Sequence, residues 1–256
     1  MKNVPFLIKG SPYTMAFSPL TDLIVWRLKG RLPRIQRMMD APLQMQQEQF
    51  RLLVQRGSQT EYGQRHRMDA HMSIEAFQER LPVVNYESLT PWIKRTMKGE
   101  QGLLWDGPIS WFAKSSGTTN AKSKFIPVSQ EALDDCHYKS GKDLLSLYLN
   151  NNENSKLFTG RSLRLGGSKE LYKDKGSYFG DLSAILIDNL PKWAEYSSTP
   201  SNRISLLPDW ETKIAAIISE STKENVTSLA GVPSWMLVLL NEINTYSGTE
   251  HLFEIW

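Results

Sequence analysis

Apolar residues recur at helical spacing through the first quarter of the chain, and short β-branched and aromatic runs take over beyond it. From residue 18 to about 57 the pattern predicts helix throughout. Leu20, Leu23, Ile24 and Leu28 form one apolar stripe, Leu43, Phe50, Leu53 and Val54 a second, and Gly57 is the stop. Ser73 is placed to cap a short helix that ends before Pro82. Residues 86–98 predict another helix, with Trp92, Ile93 and Met97 inward and Gly99 ending it. Two strand-like runs follow, Ile109 with Trp111, Phe112 and Ala113, then Phe125-Ile126-Pro127-Val128, and a polar loop joins them.

After this strand–loop–strand unit helical and strand-like runs follow one another. Ser129 caps a long helix to about residue 150, whose face at helical spacing is Leu133, His137, Gly141, Leu144 and Tyr148. Ser162-Leu163-Arg164-Leu165 reads as a strand that runs into Gly166-Gly167-Ser168, either an ordinary turn or a ligand approach. Residues 181–190 predict a helix with Leu182, Ile185, Leu186 and Leu190 inward and Pro191 as its end, and 193–202 reads as loop. Asp209 caps a helix that buries Trp210, Ile214, Ile217 and Ile218. Val226 to Ala230 is a strand, Gly231-Val232-Pro233 a tight turn, and the helix from Ser234 to about 246 has Met236, Leu239, Leu240 and Ile243 as its core stripe.

Composition narrows the function classes. A chain of 256 residues fits one large α/β domain or two small ones, and a net charge of +3 does not by itself call for nucleic acid or an acidic partner. The single cysteine, Cys136, forbids an internal disulfide and fits a reducing compartment. The longest apolar run, residues 235–240, is far below bilayer length, and Val4 to Ile8 is too brief for a signal peptide, so the expectation is a cytoplasmic protein without a membrane partner. Five basic residues between Arg27 and Arg37 admit a phosphate or membrane-surface patch, although without interleaved aromatics they read better as a solvated helix face. His66, Asp69 and His71 lack cysteines and sit in a charged segment, which favours surface exposure over metal binding.

The loop between the two strands carries the chemistry. Ser115-Ser116-Gly117-Thr118-Thr119-Asn120-Ala121-Lys122-Ser123-Lys124 is rich in hydroxyls, has three lysines counting Lys114, and contains no acid. Backbone N–H groups, hydroxyls and an ammonium in such a turn form a concave donor surface suited to a polyphosphate. Gly117 lets the backbone come close to a ligand. Composition alone also admits a polar surface hairpin. A Walker A loop is excluded, because Ala121 stands where its second glycine belongs and a strand, not a helix, follows Lys124. His137 and Gly141 are unusual on a core stripe. A mid-helix glycine costs up to ~1 kcal/mol, so close packing and a ligand both stay open there. The Gly231 turn ends a strand at the carboxyl edge of an α/β sheet, where ligands bind.

Ser-Ser-Gly-Thr-Thr, Lys124 and the following Phe-Ile-Pro resemble the phosphate loop of the acyl-adenylate-forming superfamily. The closest likeness is to its auxin-responsive (Gretchen Hagen) acyl-acid amido synthetase family, in its bacterial form. Tyr86-Glu87-Ser88-Leu89-Thr90-Pro91-Trp92-Ile93, Lys98-Gly99-Glu100 and the segment from Leu229 to Trp235 are similar to further family patterns, so the likeness spans residues 60–256; Ala121 departs from the glycine of many members. The resemblance implies a helical N-terminal segment (1–58) followed by an incomplete α/β large domain (59–256). It implies ATP and Mg, with Ser115, Ser116, Gly117, Thr118, Thr119 and Lys124 on the nucleotide and Thr118 and Lys124 in catalysis. It also implies an acyl pocket bordered by His137, Gly141, Gly231, Val232 and Pro233. The implied activity is activation of a small carboxylic acid as an acyl-adenylate and its transfer to an amine, an amino acid. An acyl-CoA ligase and a non-catalytic binding remnant are the alternatives. The resemblance further implies the N-terminal portion of a longer enzyme, inactive in isolation, with no nucleic-acid partner.

Overall fold

The structure, a computed structural model, describes residues 19–115, 124–166, 171–174, 176–190, 192–249 and 251–256. Its first 40 described residues form three helices where the pattern predicted one continuous stretch. These are α1 (Pro19–Lys29), α2 (Leu32–Asp40) and α3 (Pro42–Gly57). The break before α3 has a local cause. Pro42 lacks the N–H that would extend the ladder of α2, and it drives Ala41 out of the helical region to φ −135°, ψ 57°. The apolar stripes are also narrower than expected: Leu28 and Val54 are buried, while Leu23, Leu43 and Leu53 stand exposed. Short helices with partners on one side only leave the far half of each stripe in solvent. Arg31 departs from the otherwise solvated basic run, because its guanidinium lies 2.6 Å from the Asp143 carboxylate and ties this layer to the rest of the fold.

Three capped helices come next. In α4 (Glu61–Arg65), α5 (Ile74–Arg80) and α6 (Tyr86–Met97) the hydroxyls of Thr60 and Ser73 and the amide oxygen of Asn85 accept N–H groups of the first turn. Gly99 stops α6 with φ +99°, a left-handed conformation that glycine adopts without Cβ strain.

The strands are β1 (Ile109–Lys114), β2 (Phe125–Ser129), β3 (Arg161–Leu165), β4 (Tyr172–Asp174), β5 (Ser177–Gly180), β6 (Ser198–Thr199) and β7 (Val226–Gly231). One sheet has the order β2-β1-β5-β4, with β1 antiparallel to β2 and parallel to β5; the other, β6-β3-β7, is wholly parallel. On β1, Phe112 packs with Ile109 and Phe179 while Ala113 packs with Val128, Leu133 and Ile185 on the opposite face. A register shift between Ile109 and Trp111 explains how an odd and an even position share one face. The helices α8 (Leu182–Asp188), α9 (Lys192–Tyr196), α10 (Asn202–Ser205), α11 (Trp210–Ser221) and α12 (Pro233–Ser247) follow, with a 3₁₀ turn at Leu252–Glu254 after them. Leu163 and Leu165 of β3 are buried with Ile214, Ile217 and Ile218 of α11 and Met236, Leu239 and Ile243 of α12. The expected loop at 193–202 instead contains parts of α9, β6 and α10, elements too short to show a period and held by neighbours such as β3.

The long helix after β2 is not uniform. Ser129 caps it, accepting from the Ala132 N–H at 3.1 Å, but Ala132–Tyr138 is π-helical before α7 (Lys139–Asn151) begins. The wider turn inserts about one residue, which rotates everything downstream by roughly 100°. Leu133 therefore stays buried while Leu144 and Tyr148 turn outward, and Ser146 and Leu149 are buried instead. The stripe expected from regular spacing is out of phase past the π turn for this reason.

Glu131, just ahead of the π turn, accepts from Arg56 at 2.7 Å and from the Trp105 indole at 3.1 Å, joining α3 to the sheet. Burial alone would raise its carboxyl, but its own backbone N–H, Arg56, Trp105 and Ser129 outweigh that and hold it at about 2. A depressed carboxyl contributes stability that is full above the ordinary value of 4.5 and lost as pH falls through about 2. The wild-type advantage over Glu131→Gln in urea unfolding is thus expected to shrink steadily across that window. An advantage independent of pH would contradict the assignment.

Candidate functional site

The β1–β2 hairpin is closed at its loop end by two backbone donors. The Ser115 N–H donates to the Lys124 carbonyl at 2.9 Å, and the Lys124 N–H donates to the Ser115 hydroxyl at 3.2 Å. Both predicted residues therefore mark the base of the loop, while Ser116, Gly117, Thr118 and Thr119 lie outside the described residues. β2 is an edge strand, so one side of its backbone needs partners from elsewhere. Tyr86, in the first turn of α6, supplies them: its phenol oxygen accepts from the Phe125 N–H at 2.9 Å and donates to the Phe125 carbonyl at 3.1 Å. The same ring lies 4.8 Å beneath the Lys124 ammonium, which also stands 3.1 Å from a Glu87 carboxylate oxygen. The Glu87 carboxyl is held below its usual range, first by its own N–H at the helix start and then by Lys124.

Tyr86 and Glu87 thus hold the base of the loop and its cation. Tyr86→Phe removes both phenol bonds and strands a part-buried N–H and carbonyl. A loss of about 1–2 kcal/mol in urea unfolding is expected. A loss below a few tenths would mean that the clamp carries nothing.

A second feature is a cavity of about 250 Å³ lined by His137, Gly141, Ser162, Arg164, Ser198 and Ser228, among others. Two predicted pocket residues, His137 and Gly141, come together here, His137 from the π turn and Gly141 from α7. Gly231, Val232 and Pro233 do not line it and lie exposed where β7 meets α12. Gly231 has a packing reason: a Cβ there would stand 3.0 Å from both the Leu165 carbonyl oxygen and Met236 Cε. Ser162, Arg164 and Ser228 were not singled out in the sequence. The usable signal on β3 was alternation, since Leu163 and Leu165 go to the core and Ser162 and Arg164 face the cavity. Burial pushes the Arg164 guanidinium below the ordinary arginine value, and Glu195 opposes the shift.

The far side of the π turn borders a larger cavity of about 750 Å³, lined by Leu52, Leu53, Arg56, Trp105, Cys136 and Lys139 among others. Among the described residues no group of three or more His, Cys, Asp or Glu is placed to hold a metal ion. The His66 ring lies against Tyr62, tilted by 43° with centroids 4.4 Å apart, and Asp69 accepts from the His71 backbone N–H at 2.7 Å. No helix among the described residues is long and apolar enough to cross a membrane.

Comparison with known proteins shows what the chain is similar to. A profile described as "GH3 family N-terminal domain" matches residues 31–256. Indole-3-acetic acid-amido synthetase GH3.5 of Arabidopsis thaliana is 32% identical over 107 residues, 41% of this chain and 18% of the relative. Jasmonoyl-L-amino acid synthetase JAR6 of Nicotiana attenuata is 25% identical over 156 residues, 60% of this chain and 26% of the relative. Among solved structures, a GH3.15 acyl acid amido synthetase superposes with a TM-score of 0.70 at 22% identity, covering 85% of this chain and 39% of that one. A further structure, AtGH3.15 acyl acid amido synthetase in complex with 2,4-DB, gives 0.64 at 21% identity, covering 88% of this chain and 38% of that one. The match thus spans less than two-fifths of the solved structures' length.

Proposed function

The chain belongs to the GH3 family, and from that premise we propose that it takes part in ATP-dependent activation of a small carboxylic acid. The acid becomes an acyl-adenylate, and an amine, an amino acid, then takes the acyl group as an amide. The observation that carries the reading is the hairpin. A hydroxyl-rich loop without an acid is closed by Ser115 and Lys124, and Lys124 is held ready by Tyr86 and Glu87. The relatives' names, an indole-3-acetic acid-amido synthetase and a jasmonoyl-L-amino acid synthetase, support the reaction class.

In the first step a carboxylate oxygen attacks the α-phosphorus, the bond to the α–β bridging oxygen breaks, and pyrophosphate leaves. In the second the amine attacks the acyl carbon, AMP leaves, and the ammonium proton passes to solvent. Ser115, Ser116, Gly117, Thr118 and Thr119 would grip the β- and γ-phosphates through N–H and O–H donors, and Lys124 would offset the charge that develops on the leaving group. For Lys124 to reach phosphate it exchanges the Glu87 carboxylate for a stronger anion. Magnesium would arrive on the triphosphate and neutralise part of its charge, a role compatible with a donor set of hydroxyls and an ammonium. His137 and Gly141 would border the acid, with Gly231, Val232 and Pro233 at the neighbouring strand end.

We assign residues 1–58 to a helical N-terminal segment and 59–256 to an incomplete α/β large domain, and the chain to the bacterial branch, which suits its distance from the plant relatives. A lone cysteine suits the cytoplasm. The test is acid-dependent exchange of labelled pyrophosphate into ATP by the full-length protein. Exchange that requires one of a panel of small acids is the expected result; exchange with none of them would overturn the reading.

A further inference from the structure

Two cations, Lys142 and Arg164, line the 250 Å³ cavity together with His137, and among the described residues no aspartate or glutamate does. Arg164 has five N–H donors in a planar fork. Among the described residues one hydrogen bond is found for it, a long 3.3 Å contact to the Ala194 carbonyl, and no ion pair within 4 Å. That carbonyl is already shared, since the hydroxyls of Ser197 and Ser198 also donate to it. The remaining walls include Tyr138, Phe158 and Leu190, and the Tyr138 hydroxyl is spent on the Leu186 carbonyl at 2.8 Å. Glu195 opposes the effect of burial on Arg164 but does not line the cavity, and a half-buried guanidinium with unused donors is unfavourable unless a ligand completes it.

Size and direction narrow the ligand. The volume falls just under the roughly 300–1,000 Å³ of pockets for drug-sized molecules, so the guest is compact. Neither Ser115 nor Lys124 lines the cavity, so Arg164 is not at the described base of the hairpin. A carboxylate gripped through both oxygens by an arginine fork would also be a poor nucleophile. The group that Arg164 holds is therefore not the group that reacts.

Resting on the adenylation reading above, we propose that the acid taken by this cavity is a small dicarboxylic acid, with one carboxylate presented for activation and the other held by Arg164. The fork matches a planar carboxylate in two parallel hydrogen bonds, and Ser162 and Ser228 flank it with further donors. Arg164 is thus the specificity-determining residue, and it acts on a part of the substrate remote from the reacting centre.

The test uses the full-length protein and two pairs of acids matched in size, glutarate with valerate and isophthalate with benzoate. Binding is read by calorimetry, and turnover by ATP-dependent pyrophosphate release. The dicarboxylate of each pair is expected to bind about 10- to 100-fold tighter than its monocarboxylate partner. Arg164→Gln should erase that preference while changing the monocarboxylate Kd by less than about threefold, because charge-assisted bonds to the second group alone are lost. Arg164→Lys, which keeps the charge without the fork and guards against misfolding of the glutamine variant, should retain part of the preference. Equal weakening of both members of a pair would place the reacting carboxylate on Arg164 and overturn the proposal. Pyrophosphate release with monocarboxylates and no dicarboxylate preference would also overturn it, leaving the ligase reading in place. Absence of acid-dependent release with every pair would bring down both.

Discussion

Alanine at Ser116 and Thr118 together is expected to lower acid-dependent pyrophosphate release by the full-length protein by about 10²–10³-fold, mainly in kcat. The reason is where charge develops. As the α–β bond breaks, negative charge grows on the departing pyrophosphate, and donors fixed in advance stabilise it without reorganisation. The two hydroxyls would act on one leaving group, so the double variant should fall short of the product of two single losses. Folding should survive. The hairpin is closed outside these positions by Ser115 with Lys124, and Tyr86 clamps Phe125 from α6. Unchanged release in a folded double variant would remove the loop from the chemistry.

Phe112→Ala is expected to cost about 3–5 kcal/mol in urea unfolding, with the slope unchanged. Phe112 is fully buried, stacks on Phe179 with centroids 5.2 Å apart, and packs in one cluster with Ile109. It lies on β1, an inner strand between β2 and β5, which leads straight into the loop. The Phe125 ring, one residue past Lys124, meets Phe179 edge-on at 5.5 Å, so the cavity left by the substitution would also loosen the return strand. Ile126→Ala provides the control on the same hairpin. Its side chain is 52% exposed, and a change within about 0.5 kcal/mol is expected. Similar losses at the two positions would mean that the strand faces are misassigned.

Where local chemistry decides structure, the sequence was readable. Ser73 and Asp209 cap the helices they were expected to cap, because a side-chain acceptor and a free N–H lie within one turn of each other. β1, β2 and β7 follow runs with apolar, β-branched or aromatic residues, β3 follows an alternation of polar residues with leucine, and the α12 stripe of Met236, Leu239 and Ile243 is buried as its spacing implies. The break at Ala41 was readable too, since Pro42 announces it, but a continuous helical period masked it.

Other features depend on partners distant in sequence. β4, β5 and β6 are short strands that pairing holds in place, and nothing within three or four residues marks them. The π turn at 132–138 leaves the composition ordinary while moving the inward face by one residue, so Leu144 and Tyr148 were assigned to the wrong side. At the candidate site, hydroxyls, Gly117 and lysines in one loop could be read directly. The hold of Tyr86 and Glu87 on that loop could not, because it joins residues about 40 positions apart. Arg164 was visible only as a polar member of an alternating strand, and its significance depends on which neighbours surround the same cavity.

A crystal structure of the full-length protein with a non-hydrolysable ATP analogue addresses the central claim most directly. The account predicts triphosphate density cradled by residues 115–124, with the Lys124 ammonium moved from Glu87 onto a phosphate oxygen. A triphosphate bound elsewhere, with Lys124 still on Glu87 and the hairpin open to solvent, would contradict it.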